Sequence, residues 1–146
     1  MSDSAKLEGR CLCGSVRFSA KPVNDEMGVC HCSKCRQWTG GAFLSVECGD
    51  SLEITKGDDL AFYGSSQWGE RGFCKNCGSS LMWRMQDGSH NVVSIQAFED
   101  PSQFRFTTEI FIDCKPDNYA FANDTSKMTE AEFLAAYAST QDADNG

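Results

Sequence analysis

Six residues, Cys30-His31-Cys32-Ser33-Lys34-Cys35, constrain this chain more than any other stretch. They set three cysteines at C-x-C-x-x-C spacing. Three thiolates that close in sequence can converge on one soft metal ion, and a tetrahedral ion with three protein ligands keeps its fourth position open, the mark of a catalytic rather than a structural zinc. Two pairs flank the stretch: Cys11-Leu12-Cys13-Gly14 upstream and Cys74-Lys75-Asn76-Cys77-Gly78 downstream. Each pair ends in a glycine, which takes the left-handed backbone of a tight turn at little cost. Two such knuckles facing each other satisfy a closed tetrahedral zinc site. The expectation is one metal on Cys11, Cys13, Cys74 and Cys77 that holds the fold, and one on Cys30, Cys32 and Cys35 that does chemistry.

Other readings of the cysteines are weaker. The chain has nine, an odd number, and Met1 to Lys6 carry no apolar stretch of the kind that directs export. A reducing, cytoplasmic setting follows as the default, and there clustered C-x-C and C-x-x-C spacings favour metal over disulfides. An iron–sulfur cluster is the rival occupant of a four-cysteine site. His31 could complete the inner set, but its neighbours on both sides are already ligands, and so crowded a run is hard to wrap on one ion. Otherwise a lone cysteine, Cys48 or Cys114, could close it as a second structural site. Each of those reads better as a small buried apolar residue, and His90, in a loop, as a surface residue.

Length and charge set the remaining bounds. At 146 residues the chain suits a single domain with one modest core. With 40% hydrophobic and 23% charged residues it reads as ordinary globular protein, and no apolar run is long enough to cross a membrane. The formal net charge is −8 with no basic run, which argues against nucleic acid as a partner. An anionic substrate would need local positive charge, for which Lys34, Arg36 and Arg71 are the candidates near the motifs.

Alternating or β-branched runs predict many short strands: one through Val16 and Phe18, then Met27–Cys30, Phe43–Val46, Leu52–Ile54, Leu60–Tyr63, Val92–Phe98 and Glu109–Asp113, while Arg71–Phe73 leads into the second knuckle and Leu81–Trp83 out of it. Ser33 is placed to cap a helical turn over Lys34–Trp38, ended by Thr39-Gly40-Gly41. Pro22 to Gly28 reads as a loop and Asp100-Pro101 as a turn. Thr129-Glu130-Ala131-Glu132 fits a capping box, with Met128 and Phe133 as its hydrophobic staple, so a helix over about 129–139 should lay Phe133, Leu134 and Tyr137 on the core. The fold class is therefore mainly β, built of antiparallel sheets with a short C-terminal helix.

An open three-cysteine site would bind an external thiolate, since metal coordination deprotonates a thiol near neutral pH. That sulfur could then attack a small electrophile such as an aldehyde carbonyl, or the metal could polarise a carbonyl directly. The alternative from another class is a non-catalytic zinc module that binds a protein partner. Trp38, Phe43, Ser66 and Arg71 flank the motifs and could line a pocket. The plainer expectation for each is a core aromatic (Trp38, Phe43), a turn residue (Ser66) and a solvated charge (Arg71).

At these motifs the chain resembles the family of glutathione-dependent formaldehyde-activating enzymes, which includes centromere protein V-like members. The matching blocks are Gly9-Arg10-Cys11-Leu12-Cys13-Gly14-Ser15-Val16, Cys30-His31-Cys32-Ser33-Lys34-Cys35-Arg36 with Thr39-Gly40, and Phe73-Cys74-Lys75-Asn76-Cys77-Gly78-Ser79. The resemblance covers about residues 7–115. It implies a β-tent-like fold of antiparallel sheets, a structural zinc on Cys11, Cys13, Cys74 and Cys77, and a second zinc on Cys30, Cys32 and Cys35. It also implies a carbon–sulfur lyase activity in which glutathione and formaldehyde are interconverted with S-hydroxymethylglutathione.

Overall fold

Two cysteine-bearing turns tie two sheets together. The computed structural model describes residues 5–141. Strands β1 (Leu7–Arg10) and β2 (Arg17–Ala20) form an antiparallel hairpin whose turn carries Cys11 and Cys13, and β5 (Glu53–Lys56) extends it to three strands. The larger sheet adds β3 (Glu26–Cys30), β4 (Phe43–Glu47), β6 (Leu60–Gly64), β7 (Gly69–Cys74), β8 (Ser80–Met85), β9 (Asn91–Ser94), β10 (Arg105–Ile110) and β11 (Ser126–Met128). Its spatial order is β11-β10-β3-β4-β9-β8-β7-β6. Most pairings are antiparallel, as expected, but β10 runs parallel to both β3 and β11, so the large sheet is mixed.

The core lies where side chains of both sheets meet. Val16 and Phe18 from the hairpin turn and β2 join Val46, Leu81, Met82 and Val93 from the large sheet, all almost fully buried. Phe18 stacks edge-on against Phe98, which in turn contacts Phe104. Val16 and Phe18, the alternating apolar positions of the first expected strand, are both sealed in this interface.

Helix α1 (Ser33–Thr39) follows β3 directly and carries the last cysteine of the central motif. It begins one residue earlier than expected. Cys32, not Ser33, is the N-cap, its sulfur accepting from the Cys35 N–H at 3.4 Å, while Gly40 closes the C-terminus in the left-handed conformation. Helix α2 (Glu130–Gln141) starts at the reciprocal capping box: Glu132 N–H donates to Thr129 Oγ1 and Thr129 N–H to Glu132 Oε1.

Three other expectations shift. The strand through Val92 ends at Ser94, because the Ser94 hydroxyl accepts from Gln96 N–H and starts a short 3-10 turn over Ile95–Ala97. The strand expected at Glu109–Asp113 lies earlier, at Arg105–Ile110. Phe111 then adopts a left-handed backbone (φ 57°) and the chain coils into a 3-10 turn at Ile112–Cys114. On α2, Phe133 does pack on Phe111, but Leu134 is 45% exposed, and the side chain of Tyr137 lies outside the described residues.

Phe18 is the largest fully buried side chain at the junction of the sheets. Phe18→Ala should cost about 3–5 kcal/mol, the range for truncating a core phenylalanine. Equilibrium denaturation of the two proteins in parallel measures the difference.

Candidate metal centres and the charges buried beside them

The two knuckles are near copies of one another. Gly14 and Gly78 sit at φ 82° and 83°, with Gly14 N–H bonded to Cys11 O and Gly78 N–H to Cys74 O. In each, a backbone N–H also points at the first sulfur: Val16 N–H at Cys11 Sγ and Cys77 N–H at Cys74 Sγ, both at 3.3 Å. The four sulfurs converge within 4.8 Å of one another, with Cys11–Cys13 at 3.7 Å and Cys13–Cys74 at 3.9 Å. Four ligands placed tetrahedrally at the usual zinc–sulfur bond length would stand ~3.8 Å apart, so this set fits zinc. Side-chain donors favour the thiolate forms. Ser15 and Asn76 pull the Cys13 thiol down to about 7, and Ser79 pulls Cys77 to about 5.

The inner set forms at the junction of β3 and α1. Cys30 ends the strand, Cys32 caps the helix, and Cys35 lies buried in the first turn. Their sulfurs also gather within 4.8 Å, and among the described residues no fourth His, Cys, Asp or Glu atom joins them. Hydrogen bonds from the Cys30 and Cys35 thiols, helped by the Cys35 N–H and the charge of Arg71, hold Cys32 well below the usual thiol range. Hydrogen bonding with the Cys32 and Cys35 thiols, together with burial, pushes Cys30 up. Both clusters can therefore accept a metal ion, and both have the soft donor set of zinc.

His31 is not in the inner set, and the structure supplies a reason beyond crowding. Its ring is fully buried, with Nε2 2.8 Å from Glu109 Oε1 and Nδ1 3.1 Å from the Tyr119 hydroxyl. The second Glu109 oxygen accepts from Thr125 Oγ1 at 2.6 Å. The histidine therefore anchors the cysteine loop to β10 and to the segment that follows it. Burial works to raise the Glu109 carboxyl, but the hydrogen bonds from Thr125 and His31 outweigh it and keep Glu109 below the ordinary carboxylate range.

Arg71 departs furthest from expectation. It is 6% exposed, not a solvated charge. Its Nε donates to Ser65 Oγ at 3.1 Å, its Nη1 to Cys35 Sγ at 3.5 Å, and its guanidinium lies over the Trp38 ring at 5.1 Å. Lys34 donates to the Ser65 carbonyl and Arg36 to the His31 carbonyl, so all three expected cations gather around the inner loop. Nothing local in the sequence marks Arg71, because Cys35 is 36 positions away.

The other candidates take plainer roles. Ser66 is a turn residue that accepts from Gly69 N–H, Phe43 is core, and partly exposed His90 faces Glu47. Cys48 is buried, and burial pushes its thiol up to about 12. Cys114, by contrast, is only half-buried, 3.8 Å from a Glu130 carboxylate oxygen. A groove of about 1350 Å³ between the sheets is lined by Trp38, Phe43, Phe18, Arg10 and Arg17 among others, but not by Cys30, Cys32 or Cys35. Trp38 is where groove and site adjoin, since the same ring lines one and stacks on Arg71 in the other.

The sequence pattern of the family described as glutathione-dependent formaldehyde-activating enzyme matches residues 6–114. The chain belongs to that family. An uncharacterized lyase of Schizosaccharomyces pombe is 33% identical over 130 residues, 88% of this chain and 95% of that protein. A Halomonas elongata protein, provisionally named a glutathione-dependent formaldehyde-activating enzyme, is 34% identical over 84 residues, 51% of this chain and 54% of its own. A crystal structure of a Rhodobacter sphaeroides protein superposes with a TM-score of 0.56 at 22% identity, covering 64% of this chain and 88% of that one, which shows a shared fold. The family supports an enzyme of lyase type whose work relates to glutathione and formaldehyde.

The His31–Glu109 pair carries a prediction for this family member. Glu109→Gln should lower stability at pH 7 by about 1–3 kcal/mol, since it weakens a buried charge-assisted hydrogen bond. Because the folded carboxyl titrates below its unfolded value, its contribution is present above pH ~4.3 and fades as pH falls through the lower folded value. The gap between wild type and variant, followed by denaturant melts at several pH values, should therefore close in acid.

Proposed function

We propose that the chain is a zinc-dependent carbon–sulfur lyase-type enzyme acting on thiol–aldehyde adducts, with glutathione, formaldehyde and S-hydroxymethylglutathione as the reference set. The observation that carries this reading is the inner cluster: three convergent sulfurs, no fourth ligand from the described residues, and a buried guanidinium against one of them. On this reading Cys11, Cys13, Cys74 and Cys77 hold a structural zinc, and Cys30, Cys32 and Cys35 hold a catalytic one. Bound there, zinc would supply Lewis-acid stabilisation of an incoming thiolate near neutral pH.

The chain's own residues provide the setting. The three cysteines fix an open face, His31 and Glu109 hold the loop that bears them, and Arg71 supplies positive charge where the reacting groups are negative. In the forward direction the thiolate sulfur forms a bond to the aldehyde carbon, and the carbonyl electron pair moves to oxygen. That oxygen takes up the proton given up by the thiol, and the reverse direction breaks the same carbon–sulfur bond. Nine unpaired thiols suit a reducing compartment such as the cytoplasm. Within the described residues no helix is long and apolar enough to cross a membrane.

Exchange NMR with glutathione and labelled formaldehyde tests the proposal at equilibrium. Interconversion of free formaldehyde and S-hydroxymethylglutathione should accelerate in proportion to protein. Cys32→Ser should retain the fold and lose the acceleration by more than roughly 100-fold, since losing a ligand costs more than losing an outer-shell partner. Loss of the fold in that variant would make the inner metal structural. No acceleration by protein with two bound metals would remove this substrate pair and favour the interaction-module reading. Elemental analysis should find two zinc ions per chain, falling to one in Cys32→Ser.

A further inference from the structure

We infer that Arg71 determines specificity at the inner site by making its open face an anion site, so that it takes a thiolate in preference to a neutral donor of similar size. The inference rests on the reading above and names what selects its ligand. Three features carry it. The guanidinium is almost wholly buried, and a buried charge is retained only where something compensates it. It is fixed from three sides, by Ser65 Oγ, the Trp38 ring and Cys35 Sγ, so it cannot swing out to solvent without breaking them. Its Nη1 is bonded directly to a sulfur of the inner set, which aims the guanidinium at the cluster.

Charge accounting gives the direction. Three thiolates around a dication sum to one net negative charge, and a fourth thiolate would bring the enclosed total to two. Arg71 returns that total to one, in a setting where burial makes unbalanced charge costly. A neutral nitrogen donor adds no charge and gains little from the guanidinium. Lys34 and Arg36 do not duplicate the role, since Lys34 is exposed and Arg36 only half-buried, so solvent screens their charge where that of Arg71 is buried. The site therefore discriminates by the sign of the ligand as well as by the softness of its donor atom.

The test uses the full chain loaded with cobalt(II), whose thiolate charge-transfer absorption reports ligand binding without turnover. Glutathione, 2-mercaptoethanol and imidazole are titrated into wild type, Arg71→Met and Arg71→Lys. Both thiols should bind Arg71→Met roughly 10- to 100-fold more weakly than wild type, the cost of one charge-assisted hydrogen bond. Imidazole binding should hold, and Arg71→Lys should recover part of the preference for thiols. If Arg71→Met does not fold, as judged by circular dichroism, Arg71→Gln carries the same comparison.

Equal losses for thiols and imidazole would make Arg71 a structural residue and overturn the inference. A loss for glutathione but not for 2-mercaptoethanol would assign Arg71 to the substrate carboxylate, which also overturns it. Thiol binding undiminished in Arg71→Met would dispose of the role of Arg71 alone. No response to either thiol in wild type would defeat the thiol–aldehyde reading itself, and this inference with it.

Discussion

Four sulfurs from two turns some sixty residues apart meet at ligand distance, and the rest of the structure depends on that meeting. One turn belongs to the small three-stranded sheet, the other to the large mixed sheet. Thiolates held this close would repel one another unless a dication stood between them, and a metal bound there would act as a bond between the sheets. The core lies beneath, with Phe18, Leu81 and Met82 at its centre. A core of this modest size gains from such a staple, because a small domain buries too little apolar surface to be amply stable on its own.

The inner cluster has the opposite character. It sits at a strand-to-helix junction rather than between two turns, and its immediate surroundings are charged. On one side His31 and Glu109 form a buried polar pair that binds the loop to β10. On the other, Arg71 reaches across from β7 to touch Cys35. Buried polar groups of this kind are expensive unless fully engaged, and here nearly every polar atom has a partner. The expense is understandable if the loop must keep three sulfurs in a fixed geometry while a fourth position stays open to exchange.

Legibility in the sequence followed the range of the interactions. The capping box at Thr129 and Glu132 could be read because an N-cap and its partner lie within one turn of chain. The strand through Phe18 could be read because Val16 and Phe18 alternate with polar neighbours, and alternation maps onto the two faces of a sheet. The ends of β9 and β10 could not. Each is set by a 3-10 turn, at Ser94 and after Phe111, that a β-branched or apolar run does not announce. The exposure of Leu134 was hidden for a related reason: an apolar residue on a helix does not say whether the neighbouring surface reaches it.

The same division holds at the site. By itself the sequence determined which seven cysteines could act as ligands and how they divide into a set of four and a set of three. Ligand spacing within a knuckle is a matter of covalent geometry and one tight turn. Only the tertiary structure decided what surrounds them: that His31 faces Glu109 rather than the sulfurs, that Arg71 is buried against Cys35, and that Cys114 is not buried. Those outcomes depend on which distant strands lie side by side and on the solvation each charge loses there, quantities that exist only once the chain has folded.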